Sequence, residues 1–253
     1  MQAARNCEHV CQIHGLADVH GKLAVVMDLY DSSLAQVIGR EHPEGFPLAR
    51  ALPLLAQVAN GIRELHKIRL VHANLKPENV LFDRRTGSAA VSDPLSSRGG
   101  RGLAVLYAAP EQLEGKQAGP KADVWALALV AIYALVGHTA YEPGIALFQV
   151  MGQLCAEKHP PKVQILVVQG SPPLSLQRVG CRARCPAALP PLVCFDQVPA
   201  SIRSSSPDLA ALLESMLSID PAQRPTAEQV HGMLRAFVDK AGVSNWLLDW
   251  LPE

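Results

Sequence analysis

VHANLKPENVLFD, residues 71–83, is the stretch from which the fold can be read. Polar side chains crowd its middle, between apolar residues at either edge. Pro77 has no N–H to give and its ring holds φ near −65°, so a helix running through is excluded and a loop is expected. Upstream, Leu48, Leu52, Leu55, Val58, Ile62 and Leu65 recur at spacings of three and four. That pattern predicts an amphipathic helix with one buried stripe, with Pro47 in its first turn. Downstream, SAAVSDP predicts a short strand closed by Pro94.

Further out, residues 8–28 predict two short strands: one around Val10 and Ile13, then a turn-forming HGLADVHGK, then the β-run LAVVMDLY. Residues 31–41 suit a short helix capped by Asp31, Ser32 or Ser33. Residues 94–122, rich in Gly, Ser, Arg and Pro, read as loop. DVWALALVAIYALVG is apolar around its whole circumference and should run through the core, capped by Asp123 and ended by Gly137. Two closing helices follow. One opens at Ser206 and Pro207, with Leu209, Leu212, Leu213, Met216 and Leu217 inward. The other opens on the Thr226/Gln229 capping-box spacing, with Val230, Met233, Leu234 and Phe237 inward. The order is strands, then helices, an α+β arrangement dominated by helix.

The chain has 253 residues, 49% hydrophobic and 18% charged, enough to bury a real core. Lys and Arg number 23, as do Asp and Glu, so no global field recruits nucleic acid or an anionic membrane. The longest apolar run, Val124 to Val136, is short for a membrane span. The N-terminus has no secretory leader pattern, so the six cysteines are expected to be reduced thiols in the cytoplasm.

The loop at 71–83 resembles the catalytic loop of the eukaryotic protein kinase family, HRDLKPEN. His72, Leu75, Lys76, Pro77, Glu78 and Asn79 match it; Ala73 and Asn74 do not. Asp93 stands where that family has its DFG aspartate, Ala109, Pro110 and Glu111 match APE, Asp123, Val124 and Trp125 match the opening of the central helix, and Arg224 lies in an RPT segment. LKPEN is the serine/threonine form. RNCEHVCQIHGL, VMDLYDSSL, AAVSDP and LRAFVDK are also similar to the kinase-like domain of plant Keep-on-Going type ubiquitin ligases.

The resemblance implies a protein kinase-like fold: residues 1–30 as a remnant of the small lobe and hinge, 31–240 as the helical lobe with an irregular insertion at about 165–195, and 241–253 as a tail. It implies ATP and Mg²⁺ as cofactors and a protein as substrate or partner, with the chain as part of a larger multidomain protein. Lys76 would neutralise the transferring phosphate, and Asn79 and Asp93 would hold the metal through hard oxygen ligands. Met27, Asp28, Tyr30 and Leu81 would surround the adenine. Asn74 takes the place of the catalytic base. An amide cannot accept the substrate proton, and losing a general base costs about 10²–10⁴ in rate. Pro94 and Leu95 replace Phe and Gly of DFG, Ala73 replaces the phosphate-binding arginine, and neither a glycine-rich loop nor its lysine precedes Met27. Three readings compete: a kinase with impaired phosphotransfer, a pseudokinase that binds or scaffolds proteins, and an incomplete copy of an active kinase.

Simpler readings stand beside these. His72 packs the core and catalyses nothing. Glu111 and Arg224 form a buried structural pair. Cys181, Cys185 and Cys194 lack a zinc spacing. Arg98 and Arg101 lie in a solvated loop, and Trp246 and Trp250 either pack on the helical lobe or face a partner.

Overall fold

The computed structural model describes residues 7–93, 105–141 and 206–242, with Ala4, Val150 and Cys155. The expectations for Pro94, Leu95, Arg98, Arg101, the 165–195 insertion, its cysteines and the tryptophan-bearing tail lie outside these residues.

Two small sheets accompany the helices. Strands β1 (Ile13–Val19) and β2 (Lys22–Met27) form an antiparallel hairpin. The sequence places a turn across HGLADVHGK, but only His20 and Gly21 turn, with φ of 54° and 76°. Leu16, Ala17 and Asp18 instead pair with Val25, Ala24 and Leu23. Two residues with positive φ match the twist of the flanking strands, so the shorter turn wins. Asp28 to Tyr30 leave the strand, which ends at Met27.

The second sheet joins β3 (Ser32–Ser33), β4 (Val80–Asp83) and β5 (Ser88–Val91) in that order, all antiparallel. Helix α1 (Leu34–Glu41) starts at Ser33, whose hydroxyl accepts from the Gln36 N–H while the Gln36 side chain accepts from the Ser33 N–H. This reciprocal cap selects Ser33 from the three expected candidates. His9 to Cys11 run along the free edge of β5: the Val91 N–H donates to His9 O and the Cys11 N–H to Val91 O, each at 2.9 Å.

Helix α2 (Leu48–Lys67) buries Leu52, Leu55, Val58, Ile62 and Leu65. Pro47 sits one residue outside as its N-cap, and Pro53 lies within the helix, where it withholds one backbone bond. At Gly61 the chain of His9 comes so close that a Cβ would stand 2.3 Å from the His9 carbonyl.

After a short turn at Val105–Tyr107 come α3 (Pro110–Leu113) and α4 (Pro120–Val136), where the sequence reads as loop up to residue 122. Pro120 opens α4 from Gly119, so Asp123 lies inside the first turn and is not the cap. Pro at the first helical position needs no N–H partner and brings a preset φ, which moves the start forward. Every residue from Ala122 to Ile132 is buried, Trp125, Leu127 and Leu129 among them. Each such large side chain contributes about 1.5–3 kcal/mol by leaving water. Gly137 ends α4 at φ 80°, against the carbonyl of Pro43, which a Cβ would strike at 1.9 Å. Helices α5 (Pro207–Met216) and α6 (Ala227–Ala241) close the described chain. The Thr226/Gln229 box forms as expected. Met233, expected inward, is exposed, because α6 presents only Ala227, Val230 and Leu234 fully to α2 and α4. Among the described residues no helix is long and apolar enough to cross a membrane.

Candidate active site

Asp123 organises the loop that precedes Pro77. Its carboxylate, 1% exposed, accepts from the His72 N–H at 2.8 Å, the Ala73 N–H at 2.7 Å and the ring of His66 at 2.7 Å. Ala73 adopts φ 59°, which lets two successive N–H groups converge on one anion. The buried carboxylate is thereby compensated by two backbone N–H groups and the His66 ring.

His72 is fully buried. Its Nδ1 accepts from the Asn74 N–H at 3.3 Å, so Nε2 carries the proton and donates to Ser92 O at 2.9 Å. Burial holds this imidazole below its ordinary value and keeps it neutral. It pins the loop to the end of β5 and reaches no open surface, which fits the structural role expected of it.

Asn74, Asn79 and Asp93 come together. Asn74 is 6% exposed; its Nδ2 donates to Asp93 Oδ2 at 3.4 Å, and its Oδ1 is buried with no partner. Asn79 Nδ2 donates to Asn74 O at 2.8 Å, and Asn79 O accepts from the Ser92 N–H at 2.9 Å. Asp93 is exposed, at φ 55°. Lys76 lies on the same loop, its carbonyl accepting from the Asn79 N–H at 2.9 Å. The arrangement supplies one carboxylate and amide oxygens, hard ligands suited to a hydrated Mg²⁺ that also takes phosphate oxygens. Among the described residues no group of three or more His, Cys, Asp or Glu gathers to cage a metal.

On the other side, Met27 lines a small cavity together with Cys11, Ser92 and Asp93, which places the end of β2 beside the loop. The Asp28 N–H donates to Gln12 O at 3.0 Å, and its carboxylate accepts from the Gln12 N–H at 3.3 Å and bonds the His14 ring at 2.7 Å. Asp28 therefore ties the residues after β2 to the segment before β1, and its N–H is not open to a ligand. The Leu29 and Tyr30 N–H groups make no backbone bond to the described residues. Asp31 N–H donates to Phe82 O at 2.9 Å, fastening the segment after β2 to β4, on which Leu81 is half-buried. Burial, then Cys11, Asp28 and Asp83, pushes the half-buried Tyr30 phenol up to about 12, so it stays a neutral donor.

Sequence reasoning missed Gln112, Ser92 and His66. Gln112 accepts from the Ala109 N–H at 3.0 Å and donates to Ala73 O at 3.1 Å, linking α3 to the loop. The only signal was a Gln three residues after the start of a Pro-led turn. Below the site, Arg224 and Glu111 form the expected pair, bidentate at 2.7 and 2.9 Å.

The family model described as "Protein kinase domain" matches residues 1–233. The chain is 30% identical to the serine/threonine-protein kinase PknF of Mycobacterium tuberculosis over 159 residues, 56% of this chain and 33% of the relative. It is 29% identical to PknE of the same species over 144 residues, 53% and 25% of the two chains. It is 31% identical to the protein named serine/threonine-protein kinases drp72 of Corynebacterium efficiens over 157 residues, 55% and 30% of the two chains. The chain thus covers a third or less of each of these relatives.

Proposed function

Given that this chain belongs to the protein kinase family, of the serine/threonine type, we propose that it serves as a pseudokinase: a protein-binding module in which phosphotransfer is impaired. One observation carries this reading. The residue in the position of the catalytic base is Asn74, and its amide donates to the very carboxylate expected to hold the metal. A general base must accept a proton within hydrogen-bond reach of the substrate hydroxyl, and a neutral amide has no basic lone pair at neutral pH. The loss of about 10²–10⁴ in rate that follows leaves the fold and the binding surfaces intact.

The remaining residues are compatible with nucleotide. Asn79 and Asp93 would hold Mg²⁺, Lys76 would face the phosphates, and Met27, Tyr30 and Leu81 would border the base, with backbone groups of Leu29 and Tyr30 free to pair with it. Bound metal and nucleotide would supply charge neutralisation and the transferable phosphoryl group. This chain's own residues would orient that group without drawing a proton from an acceptor. The described cysteines are all free thiols, which supports a cytoplasmic setting. The modest share of each relative that the chain covers supports its being one domain of a larger protein.

The test pairs two measurements. Thermal stability is followed against ATP and Mg²⁺, since a bound ligand stabilises by RT ln(1 + [L]/Kd). Transfer of labelled phosphate to a generic protein substrate is measured for the unmodified chain and for Asn74→Asp. Transfer by the unmodified chain should be at background. Transfer well above background by the unmodified chain, matching that of Asn74→Asp, would overturn the pseudokinase reading.

A further inference from the structure

A second cavity lies away from the catalytic loop. It is a groove of about 580 Å³ on the far side of α2, walled by α6 and by the segment that leads into the β5 edge. Its volume lies in the range of real ligand sites. Six of its residues carry the argument: Glu8, His9, Asn60, Arg63, His231 and Arg235.

Two polar atoms in the groove wall lack partners. Asn60 is 5% exposed; its Nδ2 donates to Glu8 Oε2 at 3.1 Å, but its Oδ1 is buried and accepts nothing. Arg63 uses its two terminal nitrogens on Glu64 at 2.8 Å, Glu228 at 3.5 Å and His231 at 3.3 Å, while its Nε–H is buried and donates to nothing. A buried polar group without a partner costs about 1–3 kcal/mol, which a ligand can recover. Asn60 and Arg63 are three residues apart on α2, so their side chains share one face of the helix. One acceptor beside one donor is the complement of a peptide group, which offers one N–H and one C=O.

The charge around them narrows the choice. The Arg235 guanidinium lines the groove and makes no ion pair or hydrogen bond with the described residues. Of the acids nearby, Glu8 is turned onto Asn60 and lies 3.7 Å from His9, and Glu64 and Glu228 are turned onto Arg63. Asp239, one turn beyond Arg235, forms no ion pair with it. Burial, then Arg63, holds the His231 imidazole low; Glu228 opposes this and Arg235 adds to it.

We propose that this groove is a docking site for an extended segment of a partner protein, whose peptide group engages Asn60 and Arg63 and whose acidic side chain engages Arg235. The proposal deepens the binding-module reading by naming a surface and the chemistry of its partner, and its failure can be told from the failure of that reading.

The probe is an acetylated, amidated peptide Gly-Ser-Asp-Glu-Asp-Ser-Gly, with its Asn/Gln counterpart and sodium glutamate as controls. Each is titrated into the ¹⁵N-labelled chain and followed by NMR. The acidic peptide should shift the Asn60 side-chain amide and the Arg63 Nε–H resonances. It should bind about tenfold more tightly than its amide counterpart, the worth of one charge-assisted hydrogen bond. Arg235→Glu, at an exposed position, should abolish that preference, and Asn60→Leu should weaken both peptides alike. Equal binding of the two peptides, equal effects from glutamate alone, or shifts confined to residues 71–83 would overturn the proposal. Those results would leave the Asn74 argument standing. Phosphate transfer by the unmodified chain would overturn the Asn74 argument and leave the groove standing.

Discussion

Replacing Arg224 with methionine should destabilise the protein by about 3–5 kcal/mol, the usual consequence of stripping one partner from a buried ion pair. The structure says why the upper part of that range applies. All five N–H donors of Arg224 are used: two meet the Glu111 carboxylate at 2.7 and 2.9 Å, and three meet the carbonyls of Ser218 at 2.7 Å, Lys121 at 3.0 Å and Ile219 at 3.2 Å. The guanidinium also lies 5.0 Å from the Trp125 ring centroid. Methionine keeps most of the stem volume against Trp125, so the change removes donors rather than opening a large cavity. It leaves the Glu111 carboxylate, 13% exposed at the side chain, without its counter-charge, and takes one donor from each of three carbonyls. The assay is urea unfolding with linear extrapolation, the slope serving as a check that both states are unchanged in extent. The decisive comparison is Glu111→Gln in the two backgrounds. In the unmodified chain it should cost about 1–2 kcal/mol, since the amide oxygen still accepts one bond but the guanidinium loses its counter-charge. Beside Arg224→Met it should be neutral or stabilising, since it removes an orphan charge. A loss under about 1 kcal/mol for Arg224→Met, or an equal penalty for Glu111→Gln in both backgrounds, would refute the reasoning.

Three further outcomes are expected. His72 has a lowered proton affinity in the folded state, so the unfolded chain takes up its proton first as pH falls; the stability it contributes is complete above about pH 6.5 and is lost as pH drops toward its folded value. Urea unfolding at pH 7.5 and 5.5 should show this decline, with a smaller decline in His72→Gln; His42 and His231, also lowered by burial, supply the remainder. Gly61→Ala places a Cβ 2.3 Å from the His9 carbonyl and 3.1 Å from Val91 Cγ2, a backbone clash that should cost about 1–3 kcal/mol in the same assay, and an unchanged midpoint would show that His9 is not held there. Asn74→Asp sets a second carboxylate where an amide nitrogen now lies 3.4 Å from Asp93, so stability at pH 7 should fall by about 1 kcal/mol or more. Like-charge contact raises the folded carboxyl's pKa, so this loss should vanish at a pH below the ordinary carboxyl range, and a penalty that persists there would point to packing instead.

What the sequence revealed and what it hid follow from the range of the interactions involved. The bend at residues 71–83 was legible because Pro77 and its neighbours forbid regular structure locally. The same holds for Gly137, where a positive φ is required within the residue itself. Asp123 was half legible. An acidic residue before an apolar run reads as a cap, yet the carboxylate serves two N–H groups some fifty positions earlier in the chain, and nothing in its neighbourhood distinguishes the two uses. Strand β1 was misread as a turn because His14, Gly15 and Asp18 are poor strand formers, and only pairing with β2 recruits them. The groove was invisible for the same reason. Asn60 and Arg63 lie on the helix whose buried stripe the sequence predicts, and their unmet bonds exist only because Glu8 and α6 close over them. The contrast between the two asparagines follows from this. Asn74 could be judged from the chain alone, because its meaning lies in which atom it lacks. Asn60 could not, because its meaning lies in which partner it lacks, and a missing partner is a property of the assembled surface.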